Sequence, residues 1–341
     1  MRPSFFHHLH PPTTPAPQSR WRYTLGAGGI AVFLTLILGL TGILELFYYI
    51  PSPEKAALSV QTITYLVPFG GFIRNLHYWS AQFLLVVSAV HLLRVIFTAS
   101  YRAPRRFNYL LGLALLVLAV LLDFTGYILR WDVDICYPLL TGTNLLKTIP
   151  GFGNFLYNLA VGGGEACSTG LLRFYIWHIF GLTTVAVLLT IWHAFRVRRD
   201  GGIAVPSPRL RADSTRISRN ELVRREVLAA FVVGIVLILI SSLIPAPIAA
   251  AMTEAATTGN ASAPWFFLWI QQMLKWGNPF LFGILVPLAI LLILGSIPYV
   301  FPQPSEADVG HWFPKSNRLA QITIAGIAVF ILVLTFIADA N

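Results

Sequence analysis

Seven long apolar runs constrain the fold of this 341-residue chain more than any other feature of its sequence. Crossing a bilayer takes about 20 apolar residues in a helix, and the hydrocarbon offers no water to unpaired backbone groups. Only 11% of the residues are charged, against about 25% in soluble domains. The sequence therefore predicts an all-α integral membrane protein. Its seven transmembrane helices are expected at residues 25–50, 72–99, 108–129, 171–195, 227–250, 278–301 and 318–338.

The net charge of +10 follows membrane topology and does not indicate a nucleic-acid partner. When the loops are assigned to alternate sides, about three quarters of the lysines and arginines fall on one side. The positive-inside rule makes that side cytoplasmic. The N-terminus is then predicted to be cytoplasmic, and the chain to end outside after seven crossings.

The predicted spans fall into two blocks separated by a polar linker. The histidines of the N-terminal tail are expected to be solvated rather than to bind a metal. The first apolar run is too long for a cleavable signal peptide. Two outer segments, 130–170 and 251–276, are longer than simple turns and are expected to be functional. The predicted division is 1–20, a cytoplasmic tail; 21–205, four spans; 206–226, a basic cytoplasmic linker; and 227–341, three spans.

Four histidines inside the apolar spans are the strongest chemical signal. His77 and His91 lie in the second span, and His178 and His193 lie in the fourth. Spacings of 14 and 15 residues bring each pair to within about 40–60° on one helix face and separate its members by roughly 21 Å. Both helices run inward, so His77 is level with His178 and His91 with His193. Imidazoles facing each other at two depths suit two bis-histidine haems, whereas four unrelated packing histidines are the less favoured alternative.

Glycines and arginines accompany these histidines. Gly28 and Gly42 in the first span, and Gly112 and Gly126 in the third, share the 14-residue period. Small residues allow close approach, and we expect them to face the flat sides of two haems. Arg74 lies three residues before His77, and Arg94 lies three residues after His91. Both are placed to bind haem carboxylates, with snorkelling at the helix ends as the alternative.

The only two cysteines, Cys136 and Cys167, flank the outer 130–170 segment. They should face an oxidising compartment, where disulfides persist. A bridge that stiffens this segment and a pair of free thiols both remain open.

Several stretches resemble cytochrome b of the quinol:cytochrome c oxidoreductases. GGFIRNLHYWSAQFLLVVSAVHLLRVIFTAS is similar to the family's second helix, TGYILRWD to the end of its third, and RFYIWHIF with WHAFRVRRDGG to its fourth. The resemblance is strong over 21–205. It continues more weakly over 227–338, which resembles the separate three-helix subunit of the chloroplast-type complex. The 15-residue spacing from His178 to His193 is also of the chloroplast or Firmicutes type.

This resemblance implies a four-helix di-haem bundle fused to a three-helix quinol-site part, in a bacterial inner (plasma) membrane. His77 and His178 would bind an outer low-potential b haem, and His91 and His193 an inner high-potential one, both non-covalently. The implied function is quinol oxidation at an outer site, with menaquinol one candidate, and electron transfer to an inner quinone site, coupled to proton translocation. The implied partners are a Rieske iron–sulfur protein, c-type cytochromes and a second copy of the chain.

Two departures from the family pattern are visible. The family's Pro-Glu-Trp-Tyr appears here as Ala263-Pro264-Trp265-Phe266, so Pro264 replaces the glutamate that would accept a quinol proton. This variant resembles bacterial complexes that use multihaem cytochromes c. Gly26 also stands where the chloroplast form has a haem-tethering cysteine, so a covalent third haem is not expected.

We predict the quinol site from the residues that close the outer ends of the third and sixth spans. These are Trp265, Phe266, Tyr127 and the turn 130–134. Asp132 and Asp134 are the candidate proton acceptors in this turn, with Asp132 preferred, since Arg130 would keep one of them ionised; a water chain is the other candidate route. Solvated loop charges are the alternative for both, slightly more so for Asp134 than for Asp132.

Two other function classes remain open at this point. The chain could be a di-haem anchor that wires a peripheral reductase to the quinone pool, and the missing glutamate leaves room for this reading. It could also be a purely structural membrane protein, which a reduced-haem spectrum would test. The Pro264-Trp265-Phe266 segment and the three extra spans favour the catalytic subunit.

Overall fold

A computed structural model describes residues 12–205, 215–251 and 262–340 of the chain. Within these residues, seven helices are long and apolar enough to cross a membrane, which confirms the predicted all-α membrane class. Their mean hydropathy lies between 1.8 and 2.6. They also expose large apolar side chains such as Leu36 (62%) and Phe336 (76%), as lipid-facing helices do.

The helices are numbered in chain order. Short helical turns join them at Ala16–Ser19, Trp21–Thr24, Ala166–Thr169, Trp265–Phe267, Glu306–Asp308 and Lys315–Asn317. The longer helices are α1 (Ala27–Leu46), α2 (Ala56–Tyr65), α3 (Gly70–Phe97), α4 (Arg106–Ile128), α5 (Cys136–Lys147), α6 (Gly153–Val161), α7 (Leu171–Arg199, with a π-helical turn at Trp177–Gly181), α8 (Arg219–Leu243), α9 (Leu268–Leu274), α10 (Leu281–Val300) and α11 (Arg318–Asp339).

The first four spans pack as a bundle that carries the histidines. Helix α1 packs along α3, α3 contacts α4, and α4 packs along α7. The three later spans lie around this bundle, with α8 against α1 and α3, α10 against α4, and α11 against α3. Helix α7 thus joins the bundle through α4, and its segment Leu182–Arg199 has no buried residue.

Helix α8 departs from its predicted bounds of 227–250. It begins at Arg219, because the Ser218 hydroxyl caps it by accepting from the backbone N–H of Glu221 (3.3 Å). It ends at Leu243, two residues before Pro245, since proline lacks an amide donor and disfavours helix in the residue before it. The stretch 244–251 therefore crosses the end of the bundle as extended chain.

The described part of the N-terminal tail is tethered to the helices. Strand β1 (Thr13–Pro15) pairs antiparallel with strand β2 (Arg216–Ser218). The buried Gln18 amide donates to the Ile203 carbonyl (2.8 Å). The predicted solvated tail is therefore replaced by strand pairing at Thr13–Pro15, and Gln18 and Ser19 are buried. The tail histidines, His7, His8 and His10, lie outside the described residues, as do 206–214 of the linker.

The 130–170 segment forms a compact cap over the end of the bundle that the arginine distribution predicts to be the outer end. Trp131, Leu139 and Leu171 are at most 1% exposed in its core. Helices α5 and α6 pack against each other there. A disulfide joins Cys136, the first residue of α5, to Cys167, which settles the alternative left open by the sequence.

Candidate functional site

His77 and His178 face each other near the outer end of the bundle. Their ring centroids are 6.4 Å apart, and their planes are inclined at 68°. Two imidazoles that bind one metal through nitrogens at about 2.0–2.1 Å have centroids roughly 6.3 Å apart. Protein atoms enclose each ring only in part. The spacing fits a pair of axial ligands on one iron.

Hydrogen bonds fix which nitrogen of each ring faces inward. Thr41 Oγ1 lies 2.8 Å from His77 Nδ1, and its own proton goes to the Ile37 carbonyl (2.8 Å). His77 Nδ1 therefore donates the hydrogen bond, which leaves the Nε2 lone pair available to a metal. His178 Nδ1 is held in the same way, 3.0 Å from both Thr125 Oγ1 and the Leu122 carbonyl.

The inner pair, His91 and His193, has a different surrounding. Their Nδ1 atoms are buried and form no hydrogen bond among the described residues, although the Asn108 carbonyl lies near His193. The outer pair is therefore locked by threonine hydroxyls, and the inner pair is not.

Each of the four predicted glycines lies against one histidine ring. A Cβ atom at Gly42 would stand 3.2 Å from Cε1 of His77, and one at Gly126 would stand 2.8 Å from Cε1 of His178. The corresponding distances are 3.3 Å from Gly112 to His193 and 3.5 Å from Gly28 to His91. We expected the glycines to face flat haem surfaces. The structure places them against the imidazoles, which lets the ligand-bearing helices approach closely.

A repeated dipeptide could have revealed the threonine contacts. Thr41-Gly42 in α1 and Thr125-Gly126 in α4 have the same order. In each, the threonine hydroxyl binds the Nδ1 of the histidine that the following glycine accommodates. The inner glycines lack a preceding threonine, which agrees with their unbonded histidines.

The two predicted arginines are buried at opposite ends of α3. Arg94 donates from Nε to the Tyr23 carbonyl (3.2 Å) and lies over the Tyr23 ring, while its Nη2 has no partner among the described residues. A buried unpaired guanidinium nitrogen suits a ligand carboxylate. Arg74 instead donates to the carbonyls of Ala246 and Pro247 in the extended chain after α8.

An apolar cavity of about 480 Å³ lies beside the outer histidine pair. Thr125, which binds His178, is in its wall together with Phe124. Cap helices α5 and α6 form a second side, and Pro264, Phe267 and Gln271 form a third. A ring-shaped apolar molecule in this cavity would lie next to Thr125, the residue that is hydrogen-bonded to His178.

Two of the four predicted quinol-site residues lie near this cavity but do not line it. Phe267 takes the wall position expected for Phe266 and stacks edge-on against Phe124, with ring centroids 5.3 Å apart. Trp265 faces a separate hollow on the other side of the segment. The Trp265–Phe267 turn is a short 3-10 helix, which rotates each successive side chain by about 120°. This rotation turns Phe267 toward the cavity and Trp265 toward the separate hollow.

Asp132 and Tyr127 belong to the outer cap and also lie outside the cavity wall. The Asp132 carboxylate is 1% exposed and accepts from Arg130 Nε (2.9 Å) and Nη2 (2.6 Å). It accepts further from the backbone N–H groups of Asp134 (3.2 Å) and Ala249 (3.1 Å). The Tyr127 hydroxyl donates to the Asp134 carbonyl (3.2 Å). These contacts give Asp132 a structural part, joining the turn after α4 to the chain after α8. Its part as a proton acceptor stays a prediction.

Comparison with known proteins agrees with this architecture. Residues 82–256 match the family model described as cytochrome b (N-terminal)/b6/petB. Cytochrome b6 of Heliomicrobium gestii is 35% identical over 187 residues, which cover 55% of this chain and 88% of that protein. The menaquinol:cytochrome c reductase cytochrome b subunit of Geobacillus thermodenitrificans is 32% identical, covering 51% and 78%. A chain of a hyperthermophilic respiratory Complex III shares the fold at a TM-score of 0.72 and 18% identity, covering 94% of this chain and 93% of that one.

Gly126→Ala tests the close approach at the outer pair. The new methyl group would stand 2.8 Å from His178 Cε1, so the ring must move at a cost of about 1–3 kcal/mol. We expect a lower melting temperature and less bound haem, measured by thermal unfolding and the pyridine haemochrome spectrum. Gly39→Ala is the matched control, because nothing lies within 4 Å of a Cβ there. Equal effects of the two substitutions would contradict the packing role.

Asp132→Asn tests the structural part assigned to this carboxylate. Breaking a buried ion pair costs about 3–5 kcal/mol, so the melting temperature should fall by several degrees. Asp134→Asn should cost less, since that side chain is partly exposed and 3.7 Å from Arg130 Nη2. The pH profile of quinol oxidation should superimpose on that of the wild type. A shifted acidic limb in Asp132→Asn would restore its role as proton acceptor.

Proposed function

The chain belongs to the cytochrome b (N-terminal)/b6 family, and from this premise we propose that it is the quinol-oxidising, di-haem cytochrome b subunit of a quinol:cytochrome c oxidoreductase or a related complex. Its relatives are cytochrome b subunits of electron-transfer complexes. The proposal places a b haem between His77 and His178 and another between His91 and His193, with quinol in the cavity beside the outer pair.

The opposed outer imidazoles are the observation that carries this proposal. Their 6.4 Å centroid separation and the hydroxyl contact to each Nδ1 present two Nε2 lone pairs to one point. Bis-histidine ligation holds iron that transfers single electrons. The unpaired Nη2 of Arg94 supports a carboxylate-bearing ligand at the inner end.

The outer cavity is lined mainly by apolar side chains of this chain. Phe124, Phe267 and Pro264 exclude water and present flat apolar surfaces to a quinol ring. Thr125 lies in the same wall and binds His178, so a quinol in this cavity would lie next to the outer histidine pair. Pro264 cannot accept a proton where the family motif has glutamate, so the quinol proton leaves through another group.

The proposed partners follow from the family and from the names of the relatives. The Geobacillus relative is a menaquinol:cytochrome c reductase subunit by name, which makes menaquinol and a c-type cytochrome the leading candidates here. We further propose a Rieske protein, a homodimer and a cytoplasmic N-terminus in a bacterial plasma membrane. A chain that purifies with a reductase and without a Rieske protein would favour the di-haem anchor.

Phe267→Ala tests the cavity as the quinol site. Removing this ring enlarges the cavity and takes away its contact with Phe124, so the rate of haem reduction by menadiol should fall about tenfold or more. Phe266→Ala is the control, because its ring lies outside the cavity wall. Haem spectra should be unchanged in both. A larger loss in Phe266→Ala than in Phe267→Ala would contradict the placement.

A further inference from the structure

Asp123 is a carboxylate inside the α4 span that the proposed function has not used. Its neighbours Leu121, Phe124 and Thr125 line the cavity, whereas its own side chain points to α3. Both carboxylate oxygens accept from Nε2 of Gln82, at 3.0 and 3.1 Å. A carboxylate within a membrane span is costly and calls for a functional explanation.

Gln82 connects Asp123 to the cavity wall through a second hydrogen bond. It is 9% exposed, and its Oε1 accepts from the indole N–H of Trp265 at 2.6 Å. An indole can only donate and a carboxylate can only accept, so the amide of Gln82 has one orientation that satisfies both neighbours. The three side chains therefore form a directional chain from α4 through α3 to the Trp265–Phe267 turn.

The position of Trp265 makes this chain relevant to quinol. Pro264 and Phe267, on either side of it, line the cavity beside the outer histidines. Trp265 itself lines a hollow of about 440 Å³ on the other face, together with Tyr78, Trp79 and Gln82. On this face the Trp265 indole is hydrogen-bonded to Gln82.

We propose that Asp123 is a positioning residue for the quinol site. By fixing the amide of Gln82 it fixes the Trp265 indole, and thereby the position of its neighbours Pro264 and Phe267 in the cavity wall, where Phe267 contacts Phe124. This inference rests on the proposed function and adds to it the residue that holds this wall of the quinol cavity in position. Asp123 acts through Gln82 and Trp265, and it does not touch the substrate.

The test uses the purified complex with menadione and menadiol as probes. Asp123→Leu and Gln82→Leu remove the chain, and each should raise the menadione dissociation constant and the menadiol KM about tenfold, as the loss of one buried hydrogen bond does. The kcat should change by about twofold or less, because the electron-transfer groups are untouched. Asp123→Asn keeps an acceptor oxygen for Gln82 and should rescue most of the loss. Gln321→Leu, which removes an amide bonded to the Pro314 carbonyl, is the matched control.

The outcomes separate this inference from the proposed function. If the wild-type complex binds no menadione, the quinol cavity itself is refuted. If the wild type binds but Asp123→Leu and Gln82→Leu bind equally well, the positioning role is overturned. Asp123→Asn with a lost kcat, a shifted pH profile and an unchanged KM would also overturn it, making Asp123 a proton carrier. Should Asp123→Leu fail to assemble, Trp265→Phe removes only the indole donor and should show the same KM increase.

Discussion

Opposed imidazoles on α3 and α7 are the contact around which the rest of the bundle is arranged. Each ring also lies close to a neighbouring helix, where an added Cβ atom would stand 3.2 Å from His77 Cε1 or 2.8 Å from His178 Cε1. The helices behind, α1 and α4, accordingly present glycine at these points. The preceding threonines then reach Nδ1 of the outer rings and orient Nε2 toward the partner. One geometric requirement thus accounts for two histidines, two glycines and two threonines.

The outer and inner ends of the bundle meet this requirement differently. At the outer end the Nδ1 atoms are hydrogen-bonded, and the cap bearing the Cys136–Cys167 disulfide covers the site. At the inner end the Nδ1 atoms have no partner among the described residues. A hydrogen bond from Nδ1 increases the basicity of an imidazole ligand and fixes its orientation. The two pairs therefore differ in what orients their rings.

Sequence reasoning predicted the features that depend on periodicity within one helix. The spans, the histidine depths and the 14-residue glycine period all follow from helical geometry, and the structure brings each glycine to a histidine. It did not identify the partners that come from distant segments. The binding of Asp132 to Ala249 and that of Arg74 to the Ala246 and Pro247 carbonyls depend on where α8 ends. Whether Phe266 or Phe267 lines the cavity depends on a 3-10 turn, and no pattern of apolar residues in the sequence specifies such a turn.

Bis-histidine haem binding at two depths is the central claim, and selective ligand removal tests it most directly. Potentiometric titration of the reduced haem band in His91→Leu should show one haem per chain, with the potential of the outer site retained. His77→Leu should show the reverse, keeping only the inner component. Two haems per chain after either substitution, or loss of both haems in both variants with the helices still folded by circular dichroism, would contradict the pairing.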